Sequence, residues 1–296
     1  MLCKPERRTA LWVGLGIIGA VLIADVVLVL LLRQATVGLG MFFMTFALLV
    51  SLPLLALLGY WLYGLLTMSY EMDRNKLVIT WAATRQVIPM SSVQRVVRGE
   101  EVRGWLPLRC FRWPSYYIGA GEVKGLGFTL FYATRPRREQ LFIVTPALTY
   151  AISPADREEF LKGLEARLRM GITQRVAQET HHPRFAGWFF WRDRLAHLLM
   201  ALGLLANAAL FAYVCARYPH LPPVLPLHFD AAGQVDRIGT RGEIFALPVI
   251  AAIILVSNLG AGLILYHRER LGSYLLWGGA LVVQVLFWIA AVGLVG

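Results

Sequence analysis

The chain has 296 residues, 57% of them hydrophobic and 16% charged, with 29 Lys and Arg against 18 Asp and Glu for a net charge of +11. Soluble domains average about 25% charged residues, so the composition excludes a soluble globular protein and leaves room for one small water-facing domain among several membrane spans. On such a chain the basic excess reads as a topology signal and an attraction to anionic lipid rather than a nucleic-acid footprint. The widely separated Cys3, Cys110 and Cys215 support neither a disulfide framework nor a zinc site.

A bilayer core needs about 20 apolar residues in a helix. Residues 9–32 supply a first span, preceded by Lys4, Arg7 and Arg8. Its apolar run is too long for a cleaved signal peptide and no small-residue cleavage site follows, so it reads as an anchor. After residues 33–36 the chain turns back into a second span, 37–68, with Pro53 inside it, and the two form a hairpin. Between 69 and 194 the pattern breaks: 20 Lys and Arg and 12 Asp and Glu occur with no long apolar run, which marks a water-facing domain and its linker. Further spans are expected over 195–216, 244–266 and 273–295. The basic flanks Lys4, Arg7, Arg8, Arg192, Arg194, Arg268 and Arg270 place the N-terminus and the central domain inside and the C-terminus outside, with Arg33, Arg217, Arg237 and Arg241 on the external side.

Within 69–170 the period changes from helical to alternating. The run YEMDRNKLVITWA reads as strand, polar turn at 73–76 and strand; GFTLFYATRPRREQLFIVTPALTYAIS gives two or three more, the first pair joined at 135–138. A helix closes the run, with Ser153 as N-cap, Pro154 in the first helical position and Asp156 in the first turn. Phe160, Leu161, Leu164 and Leu168 form its apolar stripe. The segments NKLVITW, VIPMSSVQRVV and GFTLFYATRPRREQLFIVTPALTYAISPADREEFLKGLEARL resemble the bacterial pleckstrin-homology (PH) domains found beside membrane spans. The resemblance covers about 100 residues and implies a curved antiparallel sheet or partial barrel capped by the C-terminal helix, with no catalysis. Such a domain, held beside an anionic leaflet and carrying excess basic charge, has Arg95, Arg98, Arg103, Arg135, Arg137 and Arg138 as candidate lipid contacts, with Arg109 and Arg112 beside them.

The linker 171–194 ends in HHPRFAGWFFWRDR, an interfacial aromatic anchor; His181 and His182 lack a third ligand at useful spacing for a metal. In the external loop 218–243, Pro223, Pro226, His228, Phe229, Asp230, Gly233 and Asp236 resemble the external segment of SdpI-type membrane proteins, which include immunity proteins against sporulation-delaying toxins. Only one further span follows the fourth, so much of that family's C-terminal helical region is missing. The loop lacks the ligand ladder of a calcium site, and its Asp residues around Gly233 suit a tight turn.

Asp25 is the one acidic group deep in a span, and Asn207, Asn258, Gln284 and His197 are its candidate partners across helices. No G-x-S-x-G, H-E-x-x-H, Walker or dinucleotide fingerprint occurs in a strand-to-helix context. The expected architecture is therefore an α-helical integral membrane protein of five spans with an inserted α+β PH-like domain. It is organised as a two-span hairpin (1–68), a PH-like domain (69–170), a linker (171–194) and a three-span region (195–296). The expected role is a non-enzymatic, cofactor-free sensor or adaptor in the plasma membrane of a bacterium. Its partners would be anionic lipids and a protein or a second copy, with no nucleic acid; toxin immunity or transport is the alternative.

Overall fold

The structure, a computed structural model, describes residues 1–102, 109–174, 176–181, 189–229 and 234–295. Among the described residues five helices are long and apolar enough to cross a membrane, over residues 8–32, 39–67, 194–220, 241–265 and 270–295. The chain divides into two compact units. One comprises residues 1–24 and 51–187, the other 25–50 and 188–296.

In the first unit, β1 (Leu2–Cys3) precedes α1 (Arg8–Leu32) and α2 (Leu39–Thr67), which keeps its helical course through Pro53. The strands β2 (Ser69–Met72), β3 (Lys76–Trp81) and β4 (Thr84–Pro89) form an antiparallel meander, with the polar 73–75 turn where the sequence places it. Two short strands from outside this run complete the sheet: β1 pairs with β2, and β11 (Glu179–His181), from the linker, pairs with β4.

A second sheet holds β5 (Arg95–Arg98), β6 (Arg109–Trp113), β7 (Tyr116–Val123), β8 (Gly127–Ala133), β9 (Leu141–Val144) and β10 (Thr149–Ile152) in the order β5-β9-β10-β8-β7-β6. Its topology differs from the all-antiparallel expectation. The 135–138 segment does not close a hairpin between β8 and β9. Instead β9 crosses over to pair with β5, and β10 returns between β9 and β8, running parallel to β8. Burial explains the choice. Both β9 and β10 are buried along their whole length, so each needs an apolar layer on either side and neither tolerates an open edge.

One face of this sheet contributes Leu141, Ile143, Tyr150 and Ile152 to the main core, joined there by Leu77, Ile79 and Ile88 of the first sheet and by Phe160 and Leu164 of α3 (Arg157–Met170). The opposite face forms a smaller core from Phe131, Phe142, Ala151, Val123 and Val102. The start of α3 also differs from the sequence reading. Asp156 is the N-cap, its carboxylate accepting from the Glu159 N–H at 2.8 Å. Ser153 is fully buried, and its Oγ is occupied by the Thr134 N–H at 2.7 Å, which removes it from the helix end.

In the second unit α4 (Arg194–Arg217), β12 (Val224–Phe229), β13 (Val235–Thr240), α5 (Ala246–Leu265) and α6 (Arg270–Val295) follow in order. The two strands pair as an antiparallel hairpin, and α4, α5 and α6 pack around small apolar clusters.

Candidate functional site

Within the first unit the ends of α1 and α2 are keyed directly into the β-domain. Gly64 of α2 lies under the Trp81 indole, where a Cβ would collide, and a Cβ on Gly14 of α1 would lie only 3.1 Å from the Trp113 ring. Trp81 Nε1 donates to the Tyr116 hydroxyl at 2.6 Å, and that hydroxyl donates to the Trp61 carbonyl of α2 at 2.9 Å. Burial pushes the Tyr116 hydroxyl well above the usual phenol range, so it stays a donor. The β3–β4 turn carries Ala82 at φ 48°, and the Ala82 N–H donates to Thr67 Oγ1 at 2.9 Å. Arg7 closes the joint: its guanidinium donates to the Leu66 carbonyl at 2.7 Å and to that of Met68. These carbonyls lie at the C-terminal end of α2, where helical carbonyls lack partners and a cation is favoured by the helix dipole.

This joint gives the six-stranded sheet two distinct ends. Trp113, Tyr116, Ala133, Leu141 and Arg98 sit at or register with the helix-facing end, and Arg95, Val144, Gly127 and Val123 with the far end. The candidate lipid contacts separate accordingly. Arg135 lies at the helix-facing end, lining a crevice of about 170 Å³ with Thr9 of α1, and is paired with Glu6 and Glu139. Arg137 and Arg138 occupy the adjoining 3-10 turn. Arg98 is paired with Glu158 at 3.2 Å. Arg95 lines a far-end cleft of about 560 Å³ with Val97, Glu101, Val102, Lys124 and Leu126. Arg103 lies outside the described residues. Arg109 and Arg112 fall in β6, at its far and helix-facing ends respectively.

The intramembrane groups do not assemble as the sequence implies. Asn207 Nδ2 donates to Gln284 Oε1 at 3.1 Å and to the Pro248 carbonyl at 3.2 Å, while Gln284 Nε2 donates to the Ala251 carbonyl at 2.9 Å. Asn258 bonds back to the Ile254 carbonyl of its own helix. Asn207, Asn258 and Gln284 are therefore engaged elsewhere, the His197 ring packs on Phe190, and Asp25 is half-buried with no hydrogen-bond partner among the described residues. Of the external motif, Pro226, His228 and Phe229 lie in β12 and Asp236 in β13, with His228 opposite Arg237; Asp230 and Gly233 lie outside the described residues. Pro223 precedes β12, and its carbonyl accepts from the Arg241 N–H at 3.1 Å.

The sequence reading missed Asp193. This buried carboxylate caps α4 through the Leu195 and Ala196 N–H groups at 3.0 and 3.1 Å, and it accepts from the hydroxyls of Tyr266 and Tyr274. Burial alone would raise its pKa, but these four donors outweigh it and hold the carboxyl at about 2. The signal for the cap was present as an Asp directly before an apolar run. No local signal marks the two tyrosines, more than 70 residues away.

Residues 68–168 match the family model described as a bacterial PH domain. Residues 205–252 match that of a domain of unknown function, DUF1648. This second match covers much of the stretch from which the SdpI-type resemblance was drawn and carries no SdpI assignment. A protein of Archaeoglobus fulgidus, described as an uncharacterized protein, is 38% identical over 66 residues, covering 21% of this chain and 36% of the relative. The chain thus spans about a third of the relative's length. No solved structure matches the chain. The domain match and the five apolar helices fit a multi-pass membrane protein with a bacterial PH domain between its second and third spans.

Proposed function

We propose that this chain is a non-enzymatic membrane adaptor, with its domain on the cytoplasmic side of a bacterial plasma membrane. One edge of the domain contacts anionic headgroups, and the remaining surface is left for a partner. The observation that carries the reading is the joint itself. Because Arg7, Trp81, Trp113 and Tyr116 fasten the domain to the ends of α1 and α2, a fixed edge bearing Arg137 and Arg138 is held beside the helix entry. Each basic group near an anionic surface contributes about 1 kcal/mol, screened by salt. The external β12–β13 hairpin, with Val224 and Ile238 exposed, supplies a surface for an envelope ligand.

The test uses the full chain in nanodiscs of mixed phosphatidylcholine and phosphatidylserine, with co-purifying lipid quantified by mass spectrometry. Phosphatidylserine should be enriched around the wild type. The double variant Arg137→Ala/Arg138→Ala should lose most of that enrichment, as should the wild type at high salt. Equal lipid ratios in all three samples would remove the lipid part of the reading.

The toxin-immunity or transport alternative draws on the external motif. Against transport stands part of the chemistry inside the second unit, where two of the buried polar groups, Asn207 and Gln284, are amides bonded to each other and to backbone carbonyls.

A further inference from the structure

The far-end cleft has a different character from the helix-facing edge. Its floor is apolar, formed by Val97, Val102 and Leu126, which also pack on the smaller core. Its rim carries Arg95 and Lys124, both exposed and, among the described residues, without a carboxylate partner. The neighbouring arginines are engaged: Arg98 with Glu158, Arg135 with Glu6 and Glu139, and Arg157 with Glu100. Among the described residues Glu101 is the one acidic lining residue, so the described rim keeps a net positive charge. The Lys124–Gly125 turn, with Gly125 at φ 81°, lies directly after β7. At about 3.4 Å per residue, β7 carries it roughly 24 Å along the strand direction from Tyr116. That distance exceeds the Debye length of about 8 Å at physiological salt. On the adaptor reading, the headgroups beside α1 and α2 belong to Arg137 and Arg138, and this cleft is left for a different partner.

We propose that the far-end cleft docks an acidic protein segment that places an apolar side chain on Val97, Val102 and Leu126 and its carboxylates against Arg95 and Lys124. An apolar anchor in a pocket with a charged rim is the usual division of labour at a protein interface: the anchor supplies affinity and the rim supplies specificity. The proposal deepens the adaptor reading by naming its partner's chemistry, and it rests on that reading of the domain as a binding module.

Two measurements on the full chain in nanodiscs test it. First, nitroxide labels are placed on K124C and on R138C, with the three native cysteines replaced by alanine and nickel-chelating lipids in the bilayer. The label at 138 should be strongly relaxed and that at 124 should not. Second, a positional-scanning octapeptide library is panned against the wild type and against R95E/K124E. The wild type should select Asp or Glu beside Leu, Ile or Phe. The charge-reversed variant should bind those peptides at least tenfold more weakly and select Lys or Arg instead. K124E alone, at an exposed turn, replaces the double variant if the latter melts early. Relaxation at 124, selection blind to charge, selection that survives reversal, or competition by phosphatidylserine vesicles added in solution would each overturn the proposal. Loss of lipid enrichment with peptide selection intact would instead strike only the lipid part of the adaptor reading.

Discussion

Asp193 shows how one carboxylate can organise the start of a membrane helix. Its two oxygens satisfy two orphan N–H groups of α4 and two tyrosine hydroxyls from the α5–α6 turn and the first turn of α6. The folded carboxyl titrates at about 2, against an ordinary value of 3.8. A depressed carboxylate contributes stability that is complete above its ordinary value and lost as pH falls through the folded one. The melting-temperature gap between wild type and Asp193→Asn should therefore be constant from pH 7 to about 5 and close progressively between about pH 4 and 2. A gap independent of pH over that window would show that the charge contributes nothing beyond the cap. Arg7 makes the complementary contact at the end of α2. In the sequence it is legible only as a topology charge, because nothing local shows that the end of α2 returns to it.

At the scale of elements, the α4–α5–α6 packing is held by a short polar ladder. Gln284 of α6 is fully buried, and Asn207 of α4 bonds both to it and to the Pro248 carbonyl of α5. Such interhelical bonds average about 0.6 kcal/mol in a membrane and reach about 1.7. A double-mutant cycle with Asn207→Leu and Gln284→Leu, read by unfolding in detergent micelles, should give a coupling in that range. Zero coupling would assign the helix packing to shape alone. The spans themselves are legible from hydropathy, and the first hairpin of the domain from its alternation, because both signals are local. The register between helices is not local. Asn207, Asn258, Gln284 and His197 all suit a span interior, yet nothing along the chain specifies that Asn207 meets Gln284 while Asp25 meets neither. The same limit hides the parallel β8–β10 pair, whose cause is the burial of β9 and β10 on both faces rather than any turn signal.

At the scale of the molecule, the five-stranded sheet is finished by strands from outside the domain-family match at 68–168. The linker strand β11 registers Thr180 with Gln86, and the Thr180 hydroxyl donates to Gln86 Oε1 at 2.6 Å while Gln86 Nε2 donates to the Tyr132 hydroxyl. Thr180→Pro should uncouple this strand and leave Gln86 short of a partner. Amide exchange over residues 84–89 should then rise about tenfold, equivalent to about 1.4 kcal/mol, with α4 to α6 unaffected; unchanged exchange would show that β4 does not depend on its neighbour. Borrowed edges also impose a schedule on synthesis. Strand β1 leaves the ribosome before either α1 or α2, and must wait through both for β2 to emerge; β4 in turn stays uncovered until the linker ahead of α4 has been made. Until that linker arrives the β4 edge stays raw, a surface on which nascent chains mispair. Membrane insertion of the hairpin and closure of the sheet are thus steps of one assembly, in which the third span's own linker is the last piece to arrive.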